Sequence, residues 1–228
     1  MTARDDKKLD NPVWHSLCET HKQFAIEYAD VKFYLPDYCP FGAFISRQNT
    51  SRSIDAYSAL CDNFFIVGER PDFSRSLKLE NQLVCLQMVM HDKIKIDNSD
   101  TIKELGNEHT RALYQLVNWI QPGYFKPKTP LLGTYYGIFS EGQLVAVAGE
   151  RMQMSNYVEL SAVVTHPSHT GRGYAKQLVP HAANQILGRG KTPYLHVAES
   201  NMVAVNLYQK LGFSKRRSIS FWKLGRVP

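Results

Sequence analysis

The feature that most limits what this chain can fold into is a switch of hydrophobic period repeated over residues 156–213. NYVELSAVV reads as a strand, and from Tyr174 to Leu187 the residues Ala175, Leu178, Val179, Ala182, Ile186 and Leu187 fall on one face of a helix. TPYLHVA is a second strand, and Met202 to Leu211 a second helix ended by Gly212. This strand, helix, strand, helix unit has its first crossover at HTGRGYA, where two glycines flank one arginine. Gly171 and Gly173 permit backbone conformations closed to other residues and put no side chain in the way of a ligand. Successive N–H groups at the helix start can then converge on an anion, with the positive end of the helix dipole behind them. The loop fits a pyrophosphate cradle, and it also fits a strand-to-helix turn that uses glycine for steric reasons alone.

At 228 residues the chain has room for one large domain or two small ones, at roughly 100 to 200 residues each. Patterning separates it near residue 85. The first part alternates short elements: a helix expected from Asn11 to about Tyr28, with Asn11 as cap and Pro12 in the first turn, then VKFYL, FGAFI, a helix around Ser53 to Leu60, and NFFIVGE. CLQMVMHDK reads as a strand belonging to either half, and DNSD as a turn. TIKEL follows, then a helix over Asn107 to Ile120, the proline-punctuated loop QPGYFKPKTP, and a hairpin YYGIFSEGQLVAVAGERM that turns at Ser140, Glu141 and Gly142.

No opening apolar segment and no run of about 18 apolar residues occur, so the chain reads as cytoplasmic and without a membrane partner. Cys18, Cys39, Cys61 and Cys85 are far apart and form no CxxC pair, which suits reduced core thiols rather than disulfides or zinc; no metal is expected. The net charge of +6 is mild, and the longest basic run is Lys215, Arg216 and Arg217. A basic surface of this size attracts anionic small ligands or nucleic acid equally.

A second motif decides between the readings of the glycine loop. NMVAVNLYQKLGF puts Asn201 at a strand end as helix cap, Ala204 one turn in, Leu207 and Tyr208 two turns along, and Gly212 at the close. With HTGRGYA before it, separated by one helix and one strand, it resembles the GNAT superfamily of acetyl-CoA-dependent N-acyltransferases, whose patterns are Q/R-x-x-G-x-G/A and N-x-x-A-x-x-L-Y-x-K-x-G-F. The second pattern is matched throughout. The first is matched at Gly173 and Ala175, with Thr170 where Gln or Arg is usual. GERM, SAVVTHP, LHVAESN and the RR after LGF look like the subgroup with an extra N-terminal region. The resemblance covers about residues 99–226.

What the resemblance implies is an α/β (α+β) protein with a mixed, twisted central sheet, a splayed strand pair and flanking helices, organised as an N-terminal α/β region (1–85) and a GNAT-like domain (86–228). It implies acetyl-CoA as acyl donor, with the pyrophosphate on Thr170, Gly171, Arg172, Gly173, Tyr174 and Ala175, and the pantetheine arm pairing with Val163, Val164 and Thr165 and touching Asn201. An amine with a lysine-like pKa of about 10.4 must lose a proton before it attacks a thioester. Glu159 is the family-like base, with Glu150 in reserve, and Tyr208 is the residue that reaches the leaving sulfur. A backbone N–H near Val163 or Val164 would serve the oxyanion. The acceptor is expected to be an amine on a small molecule or peptide. A coenzyme A sensor without catalysis and a nucleic-acid-associated protein using Lys215 to Arg217 are the competing expectations; His166, His169 and His196 receive no role.

Overall fold

The computed structural model describes residues 6–48, 50–95 and 100–227. Eleven strands form one sheet in the order β1-β2-β3-β4-β11-β5-β10-β9-β8-β7-β6. They are β1 (Ala25–Tyr28), β2 (Val31–Tyr34), β3 (Phe41–Phe44), β4 (Asn63–Gly68), β5 (Leu77–Val89), β6 (Ile102–Glu104), β7 (Tyr135–Ser140), β8 (Gln143–Gln153), β9 (Tyr157–Thr165), β10 (Thr192–Ala198) and β11 (Ser214–Arg226). Two pairings are parallel, β3 with β4 and β9 with β10; the others are antiparallel, so the sheet is mixed as expected. The helices are α1 (Pro12–Cys18), α2 (Thr50–Ser58), α3 (Thr110–Ile120), α4 (Tyr174–Gly188) and α5 (Met202–Lys210).

The strand, helix, strand, helix unit forms as the periodicity requires. On α4, Leu178, Val179, Ala182 and Ile186 are fully buried, and the first three meet Leu160, Leu195, Val197 and Tyr208 in one core. Burying a Leu, Val or Ile side chain contributes roughly 1.5–3 kcal/mol, so this stripe alone anchors the helix. α1 and α3 pack against the sheet with separate cores: α1 through Leu9, Val13 and Leu17 nearby, and α3 through Leu113, Leu116 and Val117. The hairpin between β7 and β8 turns at Glu141 and Gly142, both left-handed at φ 50° and 78°, the geometry that matches strand twist in a two-residue loop.

Three expectations change. The helix expected to reach Tyr28 ends at Cys18, because residues 25–28 are taken by the sheet edge as β1, where Ala25 pairs with Tyr34 and Tyr28 with Val31. Asn11 still caps that helix, accepting from the Trp14 N–H at 3.4 Å. The thiols are not all in the core: Cys39 and Cys85 are buried, but Cys18 is exposed. The third change is a strand that pattern reading passed over. β11, thirteen residues long, lies between β4 and β5 and pairs along both. Position 85/86, where patterning divides the chain, falls inside β5. The turn expected at 97–100 lies outside the described residues except for Asp100. Among the described residues no helix is long and apolar enough to cross a membrane.

Tyr135 opens β7 fully buried, edge-on to Phe125, and among the described residues its hydroxyl is buried without a hydrogen-bond partner. Burial raises its pKa well above the ordinary phenol value. An unsatisfied buried hydroxyl costs about 1–3 kcal/mol. Tyr135→Phe is therefore expected to raise unfolding stability by about 1 kcal/mol or more, read from the urea midpoint at constant slope; a lowered midpoint would mean that the hydroxyl is satisfied.

Candidate active site

β9 and β10 pair only over Tyr157–Leu160 and Thr192–Leu195, yet β9 runs on to Thr165 and β10 to Ala198. Beyond Leu160 the two strands part, which is the splayed pair the resemblance implied. A bulge accompanies the parting. Gly149 pairs with Ser161 and Val147 with Val164, so two steps on β8 are matched by three on β9. The extra residue lies around Ala162, whose φ of 52° is left-handed and costs an alanine about 1–2 kcal/mol. A regular strand shows alternate residues to one side. Here Leu160, Ser161, Ala162 and Val163 in succession line one cavity of about 440 Å³.

The cavity is built by strands from both halves of the chain together with α3, α5 and the loop after α3. The bulged part of β9 forms one wall, and His196, Val197 and Ala198 of β10 form the wall across the gap. Asn201, Ala204 and Tyr208 come from the start and middle of α5. Asn201 caps that helix, its side-chain oxygen accepting from the Ala204 N–H at 3.1 Å. Tyr208 is 8 % exposed, and burial pushes its pKa up to about 12. The remaining wall comes from β3, β5 and β11 through Phe41, Cys85 and Phe221, and from the loop after α3 through Tyr124 and Phe125.

The glycine loop stands at the start of α4. Gly171 and Gly173 have φ of 79° and 80°, and open space lies where a Cβ would be on either. Gly173 is the N-cap of α4 and offers no capping side chain. The first amides of a helix lack intrahelical acceptors, so those of Tyr174 and Ala175 at a glycine-capped end are left for an outside acceptor. Thr170 turns its hydroxyl back to the Pro167 carbonyl at 3.0 Å, and the Arg172 side chain is exposed. Val164 is buried against α3, and Thr165, paired with Ala146, ends the strand.

Glu159 lines the cavity at 1 % exposure. Its oxygens accept two hydrogen bonds from the Arg151 guanidinium, both 2.8 Å, and one from His196 Nδ1 at 2.8 Å. Burial raises the Glu159 pKa, but the charge of Arg151 and the two sets of hydrogen bonds outweigh it and bring it to about 2. The His196 Nδ1 therefore carries the proton, and its Nε2 accepts from the Gln87 amide at 3.1 Å. Arg151 also lies over the Phe41 ring at 4.5 Å. Arg151 and His196 are site residues that the motifs missed. Arg151 was visible only as the R of GERM; strand alternation puts it and Glu159 on adjacent paired strands, a weak signal. Glu150 is outside this wall, fully buried and ion-paired with Arg189. The basic run is engaged elsewhere: Arg216 and Arg217 both bind Asp10 at 2.8 Å.

Comparison with known proteins bears on this geometry. The family model described as FR47-like protein matches residues 135–222, from β7 into β11. A solved structure assigned as a GNAT-family acetyltransferase, from Novosphingobium aromaticivorans, is 28 % identical and superposes with a TM-score of 0.88 over 96 % of this chain and 99 % of that one. Residues 135–222 are thus similar to the FR47-like family, and the whole chain is similar to a GNAT-family acetyltransferase. The same fold, at 15 % identity and TM-score 0.65, is seen in a GCN5-related N-acetyltransferase-like protein from Streptococcus suis, over 98 % of both chains. Among curated proteins, the spermidine N(1)-acetyltransferase of Vibrio cholerae is 41 % identical over 64 residues, which are 25 % of this chain and 36 % of that one. The match thus spans about a third of the length of that relative.

The Arg151–Glu159 pair makes a prediction for this protein. Glu159→Gln leaves a buried guanidinium facing an uncharged amide, and losing one partner of such a pair costs about 3–5 kcal/mol. Because the folded pKa of Glu159 lies below its ordinary value near 4.3, its contribution is present above that value and lost as pH falls through about 2. Urea unfolding should find the variant less stable at pH 7 and the gap to wild type closing between about pH 4.5 and 2. A gap that stays constant through this range would contradict the depressed pKa.

Proposed function

We propose that this protein transfers an acetyl group from acetyl-CoA to the nitrogen of an amine. The observation that carries the reading is a single cavity, entered at the gap between β9 and β10, that has a free strand edge, Glu159 and Tyr208 in its wall. The edge of β9 at Val163, Val164 and Thr165 would pair with the amides of the pantetheine arm, with Asn201 beside it. The loop of Thr170, Gly171, Arg172, Gly173, Tyr174 and Ala175 would hold the pyrophosphate, where the space beyond both glycines and the uncapped end of a 15-residue helix suit two negative charges; the Thr170 N–H is already given to the Pro167 carbonyl.

In the reaction the amine nitrogen bonds to the thioester carbonyl carbon, the carbon–sulfur bond breaks, the amine gives up a proton, and the sulfur leaves to become a thiol. The products are an amide and free coenzyme A. The backbone of the bulge at Val163 would donate to the carbonyl oxygen as it takes charge; a left-handed Ala162 is strain of the kind stored at such sites. Glu159 is the one carboxylate in the wall among the described residues, and the proton would leave toward it. With a pKa near 2 it holds a proton only in passing, so the proton goes on through water while Glu159 stays charged against the ammonium. Tyr208, with its pKa near 12, is protonated at every working pH and donates to the departing sulfur as a hydrogen bond; full transfer to a thiolate of pKa about 8.5 would be uphill.

The name of the Vibrio cholerae relative supports an amine acceptor. The competing readings have less behind them. A coenzyme A sensor needs neither Glu159 nor Tyr208 in the cavity, and a nucleic-acid partner would have to displace Asp10 from Arg216 and Arg217.

Gly173→Glu sets a side chain and a negative charge in the cradle, so calorimetry is expected to show acetyl-CoA affinity lost in a variant that still unfolds cooperatively; unchanged affinity would remove the cradle from the reading. Tyr208→Phe keeps the ring and deletes the hydroxyl. A donor that acts on the leaving sulfur works more in the transition state than in the ground state, so kcat should fall roughly 10- to 10³-fold with little change in acetyl-CoA affinity. The fall should shrink with a thioester of a more acidic thiol. Full activity of the variant, when chemistry limits the rate, would leave Tyr208 a packing residue.

A further inference from the structure

The walls of the cavity differ in chemistry with the elements they come from. Asn201, Ala204 and Tyr208 at α5 are the groups that suit the donor. A second set is aromatic and aliphatic, contributed by parts of the chain that carry no motif: Phe41 of β3, Leu83 of β5, Tyr124 and Phe125 of the loop after α3, and Phe221 of β11. These residues support one another. Tyr124 stacks on Phe65 with centroids 4.9 Å apart, and Phe41 meets Phe221 edge-on at 5.3 Å. The charged side chains in the wall, among the described residues, are Arg151 and Glu159, and they are bound to each other.

We infer that the acceptor is a monoamine carrying an aromatic or branched apolar body, seated between Tyr124, Phe221 and Leu83 with its nitrogen toward Glu159. The inference rests on the acetyl-transfer reading and adds the class of acceptor to it. A polycation needs several carboxylates to replace the water it gives up, since burying an uncompensated charge is far more costly than burying an apolar group. This wall has one carboxylate, and its charge is already matched by Arg151. Of the aromatic faces that could hold a second ammonium, that of Phe41 is already covered by the Arg151 guanidinium. An apolar body, in contrast, gains from every ring in the wall, and a cavity of about 440 Å³ is within the size range of small-ligand sites, ~300–1,000 Å³. The inference also gives the N-terminal region a task, because Phe41 and Leu83 come from it.

The test uses the full chain and measures coenzyme A release at one pH with 2-phenylethylamine, isoamylamine, ethylamine, spermidine and kanamycin as acceptors. The expected order puts 2-phenylethylamine first, with kcat/KM at least about 10-fold above both ethylamine and spermidine, because one pocket-filling group discriminates by roughly that factor or more. Tyr124→Ala should reduce the 2-phenylethylamine to ethylamine ratio several-fold, and Leu83→Glu, which adds a carboxylate, should move the preference toward spermidine. Preference of the wild type for spermidine or kanamycin, or equal rates with ethylamine, overturns the inference. Calorimetry with acetyl-CoA alone separates the two levels: binding without release from any of the five amines overturns the acceptor class, while no binding overturns the acetyl-transfer reading and this inference with it.

Discussion

The site depends on two neighbouring strands being kept apart inside a sheet. β9 and β10 expose unpaired backbone to one another beyond Leu160 and Leu195, a state that sheets otherwise avoid because each unmet N–H or C=O is costly. What prevents closure is the commitment of each strand on its other side. β10 stays in register with β5 from Tyr194 to Ala198, and the Glu199 N–H continues that ladder to the Val84 carbonyl at 3.0 Å. β9 stays paired with β8 to Thr165, but only by taking up a bulge that bends it away. The open edge is thus fixed by the ladders on either side of it, and the left-handed Ala162 is the local strain that the arrangement carries.

A chain of polar contacts crosses the same region. Arg151 and His196 hold Glu159, Gln87 links His196 to the Leu9 carbonyl at 2.8 Å, and Arg216 donates to Gln87 at 3.0 Å before reaching Asp10. Buried charges of this kind add little net stability, since desolvation offsets most of the attraction. Their effect is positional: one carboxylate is fixed in one orientation, and the ring orientation of His196 is set by Glu159 and Gln87. The network also ties the N-terminal turn, β5, β10 and β11 to the cavity wall.

How much of this could be read from residues follows from how local each signal is. The second half was legible because its glycines, caps and periods act within one or two elements: Gly173 at a helix start, Asn201 as a cap, and an alternating hairpin with Glu141–Gly142 at the turn. β11 escaped although Ile219 and Phe221 alternate inward, because its first residues are charged and its pairing partners lie 125–149 positions earlier in sequence on β5 and 152–162 on β4. The early end of α1 had the same cause, a sheet edge overriding local preference. Arg151 and His196 became visible only when three strands were laid side by side. The aromatic wall was out of reach, since Phe41, Tyr124 and Phe221 meet from segments with no common pattern.

β11 has a consequence for how the molecule is made. It is the strip that joins β4 to β5, so the first four strands have no seat in the large sheet until residue 226 has left the ribosome. Until then β4 and β5 each present an unpaired edge, the kind of surface to which other chains add. Contacts so distant in sequence close slowly. The nascent chain therefore has two half-sheets without their joint once β10 is made, and its demand for chaperones should be concentrated in the interval before β11 slides between them.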